Sequence, residues 1–174
     1  MFDGWSAFFG LLSSAAAALT GLLFVVVSLS SGIDRDRRLR ATAIYMSPIV
    51  LNFAVVLTSG AFALAPQRNA EVAAPVVALS GAAGLAAAVR SVLGLLAPRH
   101  GVGVAHWSDA WCYGIIPGAL YIALIADGAA LEARARSSVL MLGVLLLALL
   151  LAAIRNAWDL VTWMGPQRPP PSLP

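Results

Sequence analysis

The sequence predicts an all-α fold, a polytopic integral membrane bundle of about five transmembrane helices. Three observations predict it. The 174-residue chain is 60% hydrophobic and only 11% charged, where a soluble domain carries about 25% charged residues. Its mean hydropathy is +0.87. Its apolar residues gather in five long runs, separated by short segments that hold most of the charge. Too few polar residues remain to cover a water-soluble globule of this size. No break in composition divides the chain, so residues 1–165 read as one transmembrane domain and the proline-rich 166–174 as a flexible tail.

The first span covers about residues 7–29. Residues 1–6 contain Asp3 and no Lys or Arg, so the basic n-region of a cleaved signal peptide is missing, and the apolar run is too long for its h-region. A retained span is expected. It runs into IDRDRRLRA, which holds Arg35, Arg37, Arg38 and Arg40. Asp34 and Asp36 interrupt this cluster and no aromatic residue accompanies it, which argues against nucleic acid. It reads as the cytoplasmic anchor of the span and as a contact for anionic lipid headgroups.

The second span covers about 41–65 and contains Asn52, between Pro48 and Thr58. A buried amide needs hydrogen-bond partners. Asn52 is either pore-lining or interhelical glue, for instance to carbonyls freed by Pro48. The third span, about 72–97, is alanine-rich and carries Arg90 near its end. Arg90 either snorkels to the headgroups or pairs with Asp109 at the start of the fourth span.

The fourth span, about 110–126, is shorter and more polar, with Pro117 and Gly118 in YGIIPGALY. A proline there removes a backbone donor and kinks a helix. A full span bent at Pro117 is expected, with a re-entrant segment as the alternative; Tyr113 and Tyr121 are placed near its two interfaces. The fifth span, about 137–157, is followed by Asp159, four residues after Arg155, a spacing at which opposite charges attract on one helix face.

Small residues recur at helical spacing as Ser13, Ala17 and Gly21, and as Ser80, Gly84 and Ala88. Such stripes let membrane helices approach closely, within a subunit or between subunits.

All eleven basic residues are arginine, against eight acidic ones. Arginines concentrate after spans one, three and five, so the positive-inside tendency puts the N-terminus outside and the C-terminus in the cytoplasm. Trp5 then lies at the outer surface, and Trp107, Trp111, Trp158 and Trp163 at the inner one, where indole rings are favoured.

Recognisable catalytic chemistry is missing. His100 and His106 are six apart in a glycine-rich loop with no cysteine or carboxylate set beside them, a poor match to compact metal spacings. Cys112, the sole cysteine, has no activating base in view. Neither a Ser–His–Asp arrangement nor paired membrane carboxylates can be read from the chain. No cofactor or metal is expected, and an enzyme acting on lipid is the least supported class.

The segment FFGLLSSAAAALTGLLFVVVSLS, with Ala15 to Ser28 at its centre and Arg37, Arg38 and Ala41 after it, resembles a group of small uncharacterised bacterial membrane proteins. Their first span looks like AxAALTGLLFVxVS and leads into an arginine-containing loop. NAWDLV, Asn156 to Val161, looks like the ending of their last span. The resemblance implies a multi-pass protein of a bacterial inner membrane and brings no catalytic activity with it. The function expected from the sequence is a small homo-oligomeric, channel-like role in passing ions or small solutes. The alternative is a non-catalytic accessory or scaffold subunit of a larger membrane complex. Membrane lipids and further copies or membrane partners are the expected company, and nucleic acid is not.

Overall fold

The computed structural model describes residues 2, 4–29, 46–65, 70–96 and 111–164. They form five long helices: α1 (Ser6–Leu29), α2 (Ser47–Leu64), α3 (Ala70–Leu96), α4 (Ile116–Glu132) and α5 (Ser138–Met164), with a π-helical turn at Trp111–Ile115 leading into α4. All five, counting the turn with α4, are long and apolar enough to cross a membrane. Their outward side chains are those a soluble protein would hide: Leu79 is 69% exposed and Leu11 66%. A continuous apolar exterior of this kind is at rest only against hydrocarbon. The chain is an all-α, multi-pass membrane bundle.

Local sequence explains where the helices begin and end. Gly4, at φ +83°, occupies a turn closed by Trp5 N–H donating to the Phe2 carbonyl at 3.0 Å, a backbone shape that suits glycine. Pro48 lies in the first turn of α2, where its missing N–H and fixed φ do no harm. Ala65 ends α2 in extended backbone, φ −56° and ψ 140°, as the residue before a proline tends to.

The fourth span differs most from its sequence reading. The α-helix runs on to Glu132, six residues past the expected end, and the whole span from Trp111 is 22 residues long. Pro117 sits in the first turn of α4. The wide π turn immediately before it takes up the hydrogen bond that proline cannot make, without a break further along. The fifth helix likewise continues beyond the expected end, to Met164.

Helices α2, α3, α4 and α5 pack in a ring, each on the next, and α5 closes on α2. α1 lies outside the ring against α2 and α5. Only 22% of its span is buried, against 50% for α2 and for α5, so α1 is the peripheral helix. Neighbours run antiparallel: Gly128 faces Ala74 and Ala78, while Gly118 faces Ala88. The starts of α1, α3 and α5 therefore share one end of the bundle, here the Trp5 end. The π turn and the end of α5 share the other, the Trp111 end.

The α3–α4 seam is the most extensive contact, and small residues make it so. A methyl group at Gly84 would fall on the Tyr121 ring. At Gly81 it would stand 2.9 Å from Ile125 Cγ1 and 3.1 Å from the Tyr121 carbonyl oxygen, and at Gly128 3.0 Å from Ala78 Cβ. With no general hydrophobic drive between helices in lipid, this close fit is what holds them together.

Candidate functional site

Inside an apolar bundle the side chains that call for explanation are the buried polar ones: Asn52, Ser59, Asp127, Asn156, Ser138 and Ser13. Four of them, together with two tyrosines, mark three depths of the bundle.

Nearest the Trp111 end, Tyr113 from the π turn donates its hydroxyl to the Asn156 carbonyl of α5 at 3.0 Å. The Asn156 amide donates back to the Cys112 carbonyl at 2.8 Å. A π turn exposes carbonyls that an α-helix would occupy, and Asn156, 1% exposed, serves one of them. This reciprocal pair ties the start of the fourth span to the end of the fifth.

At the middle depth, Tyr121 of α4 donates its hydroxyl to Asn52 Oδ1 of α2. These helices are not neighbours in the ring, so the bond crosses it. The glycine at position 84 makes it possible, because it leaves room for the tyrosine ring between α3 and α4. Asn52 Nδ2 is buried with no hydrogen-bond partner among the described residues.

Toward the Trp5 end, Ser59 lies seven residues beyond Asn52 on α2. That is two turns, or about 10 Å, so both occupy one stripe of the helix. Asp127 lies six residues beyond Tyr121 on α4, about 9 Å further in the same direction. Ser59 and Asp127 thus share a depth. Both are buried, and Ser59 Oγ and Asp127 Oδ2 have no hydrogen-bond partner among the described residues.

Several residues singled out by sequence fall elsewhere. Arg90 is exposed on α3; Asp109, its suggested partner, lies outside the described residues, as do Arg35, Arg37, Arg38, Arg40, His100 and His106. Arg155 and Asp159 form the ion pair their spacing suggests, at 3.2 Å on the exposed surface of α5. The small-residue stripes divide. Gly84 and Ala88 are buried in the α3–α4 seam, with Ser80 half-buried beside them. Ser13 is buried against Gly60 of α2, whereas Ala17 and Gly21 are exposed. The buried face of α1 passes instead through Phe9, Leu12, Ser13, Ala16 and Leu23.

Tyr121 needs a correction. Its sequence position suggested an interfacial anchor, but it is 1% exposed and among the largest fully buried side chains. Asp127 lies one residue past the expected end of the fourth span, yet it belongs to the buried part of α4. The clue to the second was LIADGAALE, whose apolar spacing continues the helix past the aspartate. Among the described residues, no group of three His, Cys, Asp or Glu side chains is placed to hold a metal ion. Comparison of the chain with protein-family models, with curated proteins and with solved structures finds no match.

Proposed function

We propose that this membrane bundle has a channel-like role, passing protons or small cations along the polar groups inside the ring of α2, α3, α4 and α5. One observation carries the reading: Asn52, Ser59 and Asp127 each bury a polar atom with no hydrogen-bond partner among the described residues, at two depths of one bundle. Leaving such a group unmet costs about 1–3 kcal/mol, and an ionisable side chain inside a membrane is by default a functional one. An ion or water passing these atoms would supply the missing partners. The Tyr121–Asn52 bond crosses the ring at the first of these depths, and in this reading it is the gate.

In the same proposal the protein sits in a bacterial inner membrane with the Trp5 end outside, because the arginine-rich segment 30–45 joins helices at the opposite end. The arginines of that segment contact anionic headgroups, and several copies assemble through lipid-facing helices.

Purified protein in liposomes, with cation- and proton-sensitive dyes, tests the passage. Flux is expected from the natural chain and not from Asp127→Asn, with Asp159→Asn, on the exposed surface, leaving it intact. No flux from folded protein across a range of voltage and pH, or equal flux from Asp127→Asn, would sink the reading.

A second reading, a non-catalytic accessory subunit, is favoured by α1. Ser14, Ala17, Ala18 and Gly21 leave a smooth outward face on this peripheral helix, suited to close approach by another helix. Recovery from native membranes in fixed ratio with a different protein would support that reading over the first.

A further inference from the structure

The unmet polar atoms inside the ring differ in kind, and the difference bears on what can move past them. Ser59 Oγ and Asp127 Oδ2 are oxygens, whereas the unmet atom of Asn52 is Nδ2, an N–H donor. Such a donor repels a cation and suits the oxygen of a water molecule. The amide oxygen on its other side is engaged by the Tyr121 hydroxyl.

Backbone oxygens do not make up a cation site here. Membrane proteins that hold Na⁺ or K⁺ draw carbonyls from unwound helices or filter loops. In this bundle α2 runs unbroken over Ser47–Leu64 and α4 over Ile116–Glu132. Their prolines, Pro48 and Pro117, lie in the first turns. The carbonyls beside Asn52, Ser59, Tyr121 and Asp127 therefore belong to the helix hydrogen-bond ladder. At the Ser59 depth the ring offers one hydroxyl and one carboxyl among the described buried side chains, where a metal cation takes about six oxygens.

The charges point the same way. Asp127 is the one charged side chain among the described buried residues. α1 and α2 carry no charge at all. On the other elements Arg90, Glu132, Arg134, Arg136 and Arg155 are exposed, and Asp159 is paired with Arg155 on the outer surface of α5. A lone carboxyl inside a membrane bundle is the kind of group that proton relays use.

Resting on the channel-like reading above, we infer that the species passed is the proton, with Asp127 as its carrier and Ser59 as the hydroxyl beside it in depth. A hydronium ion gives a proton to the Asp127 carboxylate, leaving water and a neutral carboxyl. The carboxyl then releases a proton to water further along and returns to carboxylate. Ser59 accepts a proton at Oγ as it releases its own, so it ends unchanged. Water whose oxygen faces Asn52 Nδ2 continues the path to the middle depth. Each step exchanges one O–H bond for another and needs no coordination shell.

The full chain in liposomes tests this with two dyes. Proton entry is driven by a valinomycin-set voltage and read by a pH dye. Na⁺ and K⁺ entry are read separately, with a protonophore present so that proton counterflow sets no limit. Proton entry should stand well above that of empty liposomes and slow in deuterium oxide, while Na⁺ and K⁺ entry stay at the empty level. Asp127→Asn should lower proton entry about a hundredfold, and Asp127→Glu, which keeps a proton-carrying group, should recover most of it. Ser59→Ala should lower it less, and Ser59→Thr should retain it. Na⁺ or K⁺ entry that Asp127→Asn abolishes would overturn the assignment to protons and leave the channel-like reading standing. No entry of any of the three ions through folded protein would overturn both. Proton entry as low in Asp127→Glu as in Asp127→Asn, with both folded, would overturn Asp127 as carrier. The Na⁺ and K⁺ measurements need only the natural chain, so the inference can fail whether or not a variant folds.

Discussion

Two helix contacts built from similar residues behave differently in this bundle. The α3–α4 seam is close along most of its length: Gly128 meets Ala78, Gly81 meets Ile125, Gly84 meets the Tyr121 ring and Gly118 meets Ala88. The α1–α2 contact has one comparably tight point, where Gly60 meets Ser13 and the Phe9 carbonyl. Beyond it α1 turns its remaining small residues, Ala17 and Gly21, toward lipid. A small residue strengthens a membrane contact only where the opposite helix offers something that fills the space it leaves. Along α4 that filler is Tyr121; opposite Gly21 there is nothing within 4 Å.

Filling Gly84 is the hardest way to break the first contact. Gly84→Val would put its side chain into the Tyr121 ring, and overpacking at a site with no room to relax costs about 3 kcal/mol. The ring would also leave its place opposite Asn52, so the bond across the bundle would go with it. Unfolding in graded detergent mixtures should show this as the largest loss in the set. A loss below that of Tyr121→Phe would mean the seam is much softer than its glycines suggest.

Tyr121→Phe keeps the ring and removes only the hydroxyl that Asn52 Oδ1 accepts. Hydrogen bonds between membrane helices contribute about 1 kcal/mol, so a loss of that order is expected. In a double-mutant cycle, Tyr121→Phe added to Asn52→Leu should cost almost nothing further, because the partner has already gone. Additive losses would show that the two side chains are not coupled in the membrane.

These contacts also show what could be read from the chain and what could not. Five apolar runs and the scarcity of charge carried the helix number and the membrane setting, because hydropathy and span length are properties of sequence alone. Asn52 was legible as a buried amide for the same reason: an asparagine inside an apolar run has nowhere polar to go. Its partner was not legible. Tyr121 lies 69 residues away, and whether a tyrosine points to an interface or into a core depends on the gap that a third helix leaves at Gly84. The end of α4 was missed because Asp127 reads as a break when charge alone is considered; the helix continues because the next apolar positions keep their spacing. The stripe on α1 was legible as a stripe but not as a face, since Ser13 and Gly21 differ only in what stands opposite.

Gly60→Ala probes the weaker contact. The new methyl group would fall on Ser13 Oγ and stand 3.3 Å from the Phe9 carbonyl oxygen. The serine hydroxyl makes only a long bond, 3.5 Å, to the Leu57 carbonyl, so it can turn aside. The expected loss is about 1 kcal/mol, and Ser13→Ala in the same chain should restore much of it. A loss as large as that of Gly84→Val, or no rescue by Ser13→Ala, would show that α1 is gripped more tightly than its single close point implies.

The smallest effect on the fold is expected where the stripe faces outward. Ala17 and Gly21 are exposed in the single chain, so Ala17→Leu with Gly21→Leu should change unfolding by no more than about 0.5 kcal/mol, as surface substitutions usually do. The same pair bears directly on assembly. If copies meet through α1, two leucines would hold their backbones apart, and energy transfer between labelled chains in liposomes should fall while the fold of each chain persists. If transfer is unchanged, α1 is not where copies meet. If the fold itself weakens by as much as with Gly60→Ala, these residues belong to a contact within the chain, and the contrast between the two helix pairs would have to be redrawn.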